Sequence, residues 1–538
     1  MDQEAMLEMS RNAADQGRFD DAIRHAEAAV AANPGEADAA IQLATLLRQR
    51  SRAGEAAQVL RAALAHESGR AELWNHLGLA ERNANRPDAS LEAFRRGTRL
   101  EPGNAWAFTN MAFGLLREPG GRAVETFAPL GLASDPAEIG LGLFCDRFPH
   151  TYGFLTQQFN TYLDSFVDCR VYSYGRKVME PWAAGQFEEA AQAWAALHGG
   201  DRSRLHELVP GLDPAGSVGD AGHALVSLQD GRFRKPRLAH CIFAMNADLF
   251  RPLWETLAIP FTFTLNPGGG FRLNDPYSDE RLRRVFASPM FRRVIVTYQR
   301  TRDYIVERFN VPDERIVLIP GTIVMERFLA AHARPKRRYP ADKDTLDVCF
   351  VGIRYSPTGA DKGYDRFIAA AAALVERFPH LRLHVIGNFD AGTVDVSALD
   401  GRITFHGRRD QAWMAGFYSG MDAVVSPNVA DQLALGAFDG FPVTSCIEAG
   451  MCGVALFATD PMGLNRMIEP ERHYVPVTDR PAEIAGTLAA WLSDPPRLYA
   501  LAEAGRTRFA EVWGEAAQMG PRVELMRHWL AEVAPAGQ

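Results

Sequence analysis

Asp439-Gly440-Phe441-Pro442-Val443-Thr444-Ser445-Cys446-Ile447-Glu448-Ala449-Gly450, followed by Met451-Cys452-Gly453-Val454-Ala455-Leu456-Phe457-Ala458-Thr459-Asp460, decides how the chain is read. A carboxylate sits on a loop, Gly440 and Pro442 turn the chain, Thr444 and Ser445 open a short helix, Gly453 stops it, and a small apolar strand follows. The first N–H groups of a helix have no partner within it, and its dipole adds roughly half a positive charge at that end. An anion is favoured there, and a diphosphate fits. Glu448 falls about one turn into the helix, where a carboxylate can accept two hydroxyl hydrogen bonds from a ribose. The plainer alternative is an ordinary loop-helix-strand unit of a parallel sheet, with Glu448 a solvated acid.

Upstream lies a second chemistry-bearing loop. The strand expected over Thr345–Ile353 ends in Gly352 and leads through Arg354-Tyr355-Ser356-Pro357-Thr358-Gly359-Ala360-Asp361-Lys362-Gly363 into a helix expected over Tyr364–Phe378. Cations on a loop between a parallel strand and its helix stand at the carboxyl end of the sheet, where ligands of open α/β folds bind. Arg354 and Lys362 can neutralise a diphosphate leaving group there; the plainer reading is an ion pair with Asp361 or Asp365. Further strands are expected over Leu381–Gly387, Ile403–Arg408 and before Pro427, and Asp422 reads as a structural cap.

These residues resemble the GT-B retaining glycosyltransferases of family 4, whose signature is an acid, seven residues and a second acid, usually Glu-Gly-Phe-Gly with a helix reading Leu-Glu-Ala-Met. Glu448-Ala449-Gly450-Met451 matches the second half closely; the first acid here is Asp439, and eight residues separate it from Glu448. Gly352, Arg354 and Lys362-Gly363 stand for the family's Gly-Arg, short loop, Lys-Gly motif. The resemblance implies two Rossmann-like domains facing a cleft. It implies diphosphate contacts for Arg354, Lys362 and the amides around Gly440, Thr444 and Ser445, a ribose contact for Glu448 and a donor-sugar contact for Asp439. Gly352 and Gly387 would lie near the nucleotide. His150, in Phe148-Pro149-His150-Thr151-Tyr152-Gly153-Phe154, would face the cleft from the first half; its alternative is a loop histidine. Asn266 stands where relatives carry a histidine, and it can hydrogen-bond a sugar hydroxyl but cannot shuttle a proton. The likeness runs from about Pro236 to Val533.

The N-terminal region is periodic. Pro34, Ser68 and Pro102 lie 34 residues apart, as do Ala22, Ala56 and Ser90; Ala26, Leu60 and Phe94; and Ala29, Ala63 and Gly97. Trp74, Leu77 and Gly78 occupy the large, apolar and small positions of one copy. This is similar to three tetratricopeptide repeats, starting near Gln3, Ala37 and Ala71, with a further aromatic helix over Ala105–Leu116. Small residues at fixed offsets let antiparallel helices pack closely, and each pair buries its apolar face against the next. Such a stack binds peptides or partner proteins; the alternative is a spacer or dimerisation arm.

The expected architecture is thus a tetratricopeptide domain (1–118), a linker (119–139), an N-terminal Rossmann-like acceptor domain (140–332), a linker (333–344), a nucleotide-sugar donor domain (345–505) and helices crossing back to the first half (506–538). The linker carries Arg334, Lys336, Arg337 and Arg338, a charge run that could touch anionic lipid or substrate or simply be solvated.

Composition narrows the classes. Of 538 residues, 47% are hydrophobic and 23% charged, and 58 basic against 66 acidic residues give a net charge of −8, which points away from nucleic acid. The six cysteines form no Cys-x-x-Cys pair or zinc pattern and fit a reducing cytoplasm. The acidic, amphipathic N-terminus does not read as a signal peptide. No apolar run approaches the ~18 residues of a membrane span, so membrane contact would be peripheral. The expectation is therefore a cytoplasmic glycosyltransferase, using a UDP- or GDP-linked sugar without a cofactor or metal and acting on a protein acceptor such as a flagellin, with retention at the anomeric carbon as the resemblance implies. Two rivals stand beside it: assembly of a polysaccharide or lipid-linked glycan, and a binding scaffold whose transferase half is degenerate.

Overall fold

The computed structural model describes residues 3–15, 18–101, 110, 139–146, 148–150, 153–173, 176–177, 180–181, 186–198, 200, 203–209 and 233–533. The helix expected over Ala105–Leu116, apart from Asn110, lies outside the described residues, as does the linker 119–139 apart from Ile139. Thr151 and Tyr152 lie outside them too.

Six helices open the chain: α1 (Gln3–Asp15), α2 (Phe19–Ala32), α3 (Ala37–Gln49), α4 (Ala53–His66), α5 (Ala71–Asn83) and α6 (Pro87–Leu100). The three pairs start at Gln3, Ala37 and Ala71, as the period requires. Ala22, Ala26, Ala29, Ala56, Leu60, Ala63 and Phe94 are fully buried at the repeated offsets. Their small size sets how closely the helices approach: a Cβ on Gly78 would lie 2.7 Å from the Phe94 ring. Burying a residue of the size of Leu60 or Phe94 contributes roughly 1.5–3 kcal/mol each.

Two six-stranded parallel sheets follow. The first has the order β2-β1-β5-β6-β7-β8, with β1 at Ile139–Cys145, β2 at Cys169–Ser173, β5 at Pro236–Ile242, β6 at Phe261–Leu265, β7 at Phe291–Val296 and β8 at Ile316–Leu318. A small antiparallel pair, β3 (Arg176–Lys177) and β4 (Glu180–Pro181), interrupts the sequence between β2 and β5. The half expected from residue 140 opens with a strand, β1, buried at all seven residues and not among the expected strands. Strands covered on both faces are buried throughout, as β1 and β6 are, and β5 is buried at all but Arg237.

The second sheet has the order β11-β10-β9-β12-β13-β14, with β9 at Leu346–Val351, β10 at Leu381–Ile386, β11 at Ile403–Gly407, β12 at Ala423–Ser426, β13 at Ala455–Ala458 and β14 at Val475–Pro476. Strand order reverses between β9 and β12. In an open α/β sheet the ligand crevice lies outside the carboxyl ends of the strands at such a reversal. Asp422 acts as the structural residue it was read to be: it accepts the Asp347 amide (2.7 Å) and the Tyr499 hydroxyl (2.7 Å) and pairs with Lys343.

The closing helix Pro495–Trp513 passes unbroken through position 505/506, where the second half was expected to end; the chain turns at Gly514 instead. The last helix, Glu515–Glu532, then returns to the first half, burying Met519, Met526 and Trp529 with Leu141, Leu143 and Leu238. Gly321 admits this crossing. Its φ is +95°, and a Cβ there would stand 2.2 Å from Trp513 Nε1.

Candidate functional site

The loops after β9 and β12 meet at the reversal. Gly352 continues β9, and Gly387 follows β10 with φ +128°, its missing Cβ making room for the Gly352 carbonyl, which such an atom would meet at 1.8 Å. Gly387 is therefore needed where the two strand ends cross. Asn388 fastens the crossing by accepting the Arg354 amide (2.7 Å) and donating to the Arg354 carbonyl (3.2 Å). Gly363, at φ +69°, packs so closely on the Pro427 carbonyl that a Cβ would lie 2.0 Å from it.

Glycine packing thus carries the loop after β9 to the loop after β12. There the Lys362 ammonium donates to Asp439 Oδ2 at 2.5 Å, with the lysine side chain mostly buried and the carboxylate a third exposed. The Tyr355 ring lies 5.3 Å from the same ammonium, within cation–π range. Neither alternative partner holds Lys362: Asp361 takes the Ser356 amide, and Asp365 pairs with Arg366. Arg354 is directed elsewhere, its Nη1 donating to Thr393 Oγ1 (3.0 Å) and to the Pro357 carbonyl (3.4 Å).

From Asp439 the chain turns through Gly440, Phe441 and Pro442 into the helix Thr444–Met451. Thr444 and Ser445 are its first two residues; Val443 occupies the cap position and offers no side-chain acceptor. Their amides accordingly stand outside the helical ladder. Gly453, at φ +72°, closes the helix end as the sequence indicated. Glu448 is buried and accepts Gln411 Nε2 at 2.6 Å. Burial pushes its carboxyl up to about 7, with the Gln411 hydrogen bond pulling the other way. It is therefore not the solvated acid of the plainer reading.

The first half forms the facing wall. Tyr298, just after β7, lies against Gly440, where a Cβ would meet its hydroxyl at 2.2 Å, and that hydroxyl takes the Phe441 amide. Farther along the same loop, the Leu273 amide donates to the Gly436 carbonyl at 3.0 Å. Asn266 follows the carboxyl end of β6 and is half-buried. His150, beyond β1, packs edge-on against Phe148 and Phe159, with ring centroids 6.0 and 5.1 Å away.

The structure brings Lys362, Asp439 and Gly440 together, with Thr444, Ser445 and Glu448 on the adjoining helix. Arg354 shares the β9 loop but points to Thr393, and Asn266 and His150 belong to the other sheet. Sequence reasoning missed Gln411 and Tyr298. Gln411 carried a faint signal, since it follows Asp410, whose carboxylate caps the helix Gln411–Tyr418 at the Trp413 amide. Tyr298 carried none, because its role depends on a contact across the cleft.

Comparison with known proteins agrees with this architecture. Residues 345–494 match the family model of the glycosyl transferases group 1, and residues 7–65 and 41–105 match the tetratricopeptide repeat. Among solved structures, HepE from Anabaena, determined with UDP and glucose, superposes with a TM-score of 0.52 at 16% identity, covering 72% of this chain and 100% of that one. A sucrose-phosphate synthase from Thermosynechococcus elongatus superposes at 0.50 with 16% identity, covering 73% and 100%. TarM superposes at 0.52 with 11% identity, covering 73% and 99%. These likenesses establish the GT-B fold. No curated protein matches the chain.

Proposed function

We propose that this chain, a group 1 glycosyltransferase with an N-terminal tetratricopeptide stack, moves a sugar from a nucleotide-diphosphate donor to a protein acceptor that the stack selects. The observation that carries this reading is the Lys362–Asp439 pair at the strand-order reversal, next to a helix N-terminus and the buried Glu448. A diphosphate placed there would draw Lys362 from Asp439 to itself and accept the amides of Thr444 and Ser445. Asp439, released, would hold a hydroxyl of the donor sugar. Glu448 would take two ribose hydroxyls, a contact that favours its ionised form. Arg354 would reach the phosphates by leaving Thr393.

Catalysis in this scheme is positioning together with stabilisation of the departing diphosphate by fixed positive charge. The likeness of the acid-helix stretch to retaining enzymes supports retention at the anomeric carbon. The charge on the leaving group is met by side chains and amides, so the reading asks for no metal. Among the described residues no helix is long and apolar enough to cross a membrane, and a cytoplasmic site of action is part of the proposal.

The test is a thermal-shift screen of the purified protein against UDP, GDP, CMP and ADP, with and without EDTA. Saturation at a hundredfold excess over Kd adds about 2.7 kcal/mol to stability. The expected result is a shift with UDP or GDP that survives EDTA; no shift with any nucleotide would favour the scaffold reading. Deleting residues 1–118 should abolish transfer to protein and spare donor hydrolysis. Transfer to a glycan acceptor that survives the deletion would favour polysaccharide or lipid-linked glycan assembly.

A further inference from the structure

A second concave site lies on the other end of the donor half. It is a groove of about 1040 Å³ between the linker that precedes β9, the exposed face of β10 and β11, and the helix Gln411–Tyr418. Asp347, the second residue of β9, is on its floor, whereas Lys362 lies beyond the strand's opposite end. Four residues of strand alone separate Asp347 from that end by roughly 13 Å, so the groove is distinct from the nucleotide crevice.

Its floor carries a continuous polar chain. Asp347 Oδ1 meets His384 Nε2 at 2.8 Å, and His384 Nδ1 meets His406 Nε2 at 3.0 Å. Although burial opposes ionisation, hydrogen bonds from His384 and Lys343 bring the Asp347 carboxyl down to about 2. A carboxylate only accepts, so His384 carries a proton on Nε2. His406 Nδ1 is left as the open end of the chain. Lys343 is spent on Asp347 and Asp422, and Asp410 on the helix cap.

The linker wall differs. The amides of Arg334 and Arg337 are pinned to Ser419, at Oγ (3.0 Å) and at the carbonyl (2.9 Å), which fixes the backbone and leaves both guanidinium groups at the groove. Among the described residues neither has a carboxylate within salt-bridge distance. On the far wall Trp413 stacks on Phe417 at 4.8 Å, and the Arg409 guanidinium lies over the Trp413 ring at 5.0 Å. The groove therefore has two uncompensated cations, an imidazole with an open nitrogen and an aromatic pair, Trp413 and Phe417, on its wall. None of the exposed large apolar side chains lines it, so nothing on its rim would enter a bilayer.

We propose that this groove binds a soluble phosphate monoester carried on a ring, its phosphate between Arg334, Arg337 and His406 and its ring against the edges of the Trp413–Phe417 pair. Guanidinium forks match phosphate oxygens bidentately. A proton shared between a phosphate oxygen and His406 Nδ1 completes the imidazole chain to Asp347. The linker so engaged joins the two halves, which places the ligand where it would influence their relative position.

The experiment is hydrogen-exchange mass spectrometry on the full chain, without donor, titrating glucose 6-phosphate and, separately, inorganic phosphate. Slower exchange is expected in segments 332–345 and 403–421, with glucose 6-phosphate binding more tightly than phosphate. Arg334→Ala with Arg337→Ala should weaken that protection about tenfold or more, and Lys362→Ala should leave it unchanged. The two arginines are exposed, so the double variant should keep the wild-type melting temperature; His406→Phe gives an independent check and should also weaken binding. Protection confined to 352–363 and 439–451, or lost in Lys362→Ala, would overturn the proposal. So would Arg334- and Arg337-dependent sedimentation with phosphatidic acid vesicles in the absence of any protection by glucose 6-phosphate. Failure of the nucleotide screen would not affect this result, because neither probe nor groove involves the nucleotide crevice.

Discussion

The two Rossmann-like halves share an architecture and differ in what they place at the cleft. The donor half brings charge: a lysine, a carboxylate, a helix N-terminus and a buried acid converge within two loops and one helix. The first half brings shape, with Tyr298 against Gly440, Leu273 against Gly436 and aromatic rings around His150. A diphosphate needs fixed positive charge wherever it is bound, so its site is built from residue types that stand out in a sequence. An acceptor surface needs complementarity to one partner, and that depends on contacts distant in sequence.

The sharpest way to break this contrast is to substitute one residue on each wall. Lys362→Ala removes the cation paired with Asp439, and transfer should fall about 10²- to 10³-fold in kcat, the range found for losing one donor to a developing charge. Asn266→Ala on the facing wall should cost about tenfold or less, mostly in KM for the acceptor. Initial-rate kinetics with both substrates varied would decide. If Asn266→Ala proves the more damaging, the division between charged and shaped walls is wrong.

Glu448 tests the same idea through stability. Its carboxyl ionises at about 7 in the fold against an ordinary 4.5, so the folded chain holds a proton that the unfolded chain releases earlier. Stability is therefore highest below about 4.5 and declines as pH rises to about 7, by roughly 3 kcal/mol if the full shift applies. Glu448→Gln should remove that part of the slope, raising the melting temperature at pH 8 while weakening nucleotide binding. Urea unfolding at pH 5 and pH 8 for both proteins is the measurement. Equal slopes would mean that the buried carboxyl is solvated in solution.

Much of this was legible because it is local. The 34-residue period fixed the helix pairs, since Ala22, Ala56 and Ser90 occupy one packing position that only small residues can fill. Lys362, Asp439 and Glu448 were marked by glycines whose backbone contacts the structure now explains. The strand Ile139–Cys145 was not legible. Its Gly142 lies where a Cβ would meet Pro236 at 2.7 Å, so the neighbouring strand, distant in sequence, demands the glycine. The Arg334–Arg337 groove was visible only as a charge run, because its histidines lie some fifty to seventy residues away on β10 and β11.

The crossing of the last helices offers a smaller test of how the walls are held in register. Gly321→Ala must shift Trp513 or strain a backbone at φ +95°, at a cost of about 1–3 kcal/mol. Thermal unfolding should show the loss, and activity per folded molecule should fall as well if the crossing sets the cleft. An unchanged melting temperature would mean that Trp513 moves freely away from Gly321.

Arg354 carries the smallest effect and the most pointed one. Its guanidinium is held by Thr393 and the Pro357 carbonyl, so any contact with a diphosphate requires those bonds to break first. Arg354→Ala should therefore lower kcat/KM by about tenfold, less than Lys362→Ala, because part of the new interaction replaces an old one. Thr393→Val should act in the opposite direction. It removes the 3.0 Å acceptor, frees the guanidinium and should lower the donor KM by about twofold to fivefold with kcat unchanged. In the double variant the benefit of Thr393→Val should vanish, since the valine acts only through Arg354. A benefit that persists would show that the Thr393 loop, rather than Arg354, limits donor binding.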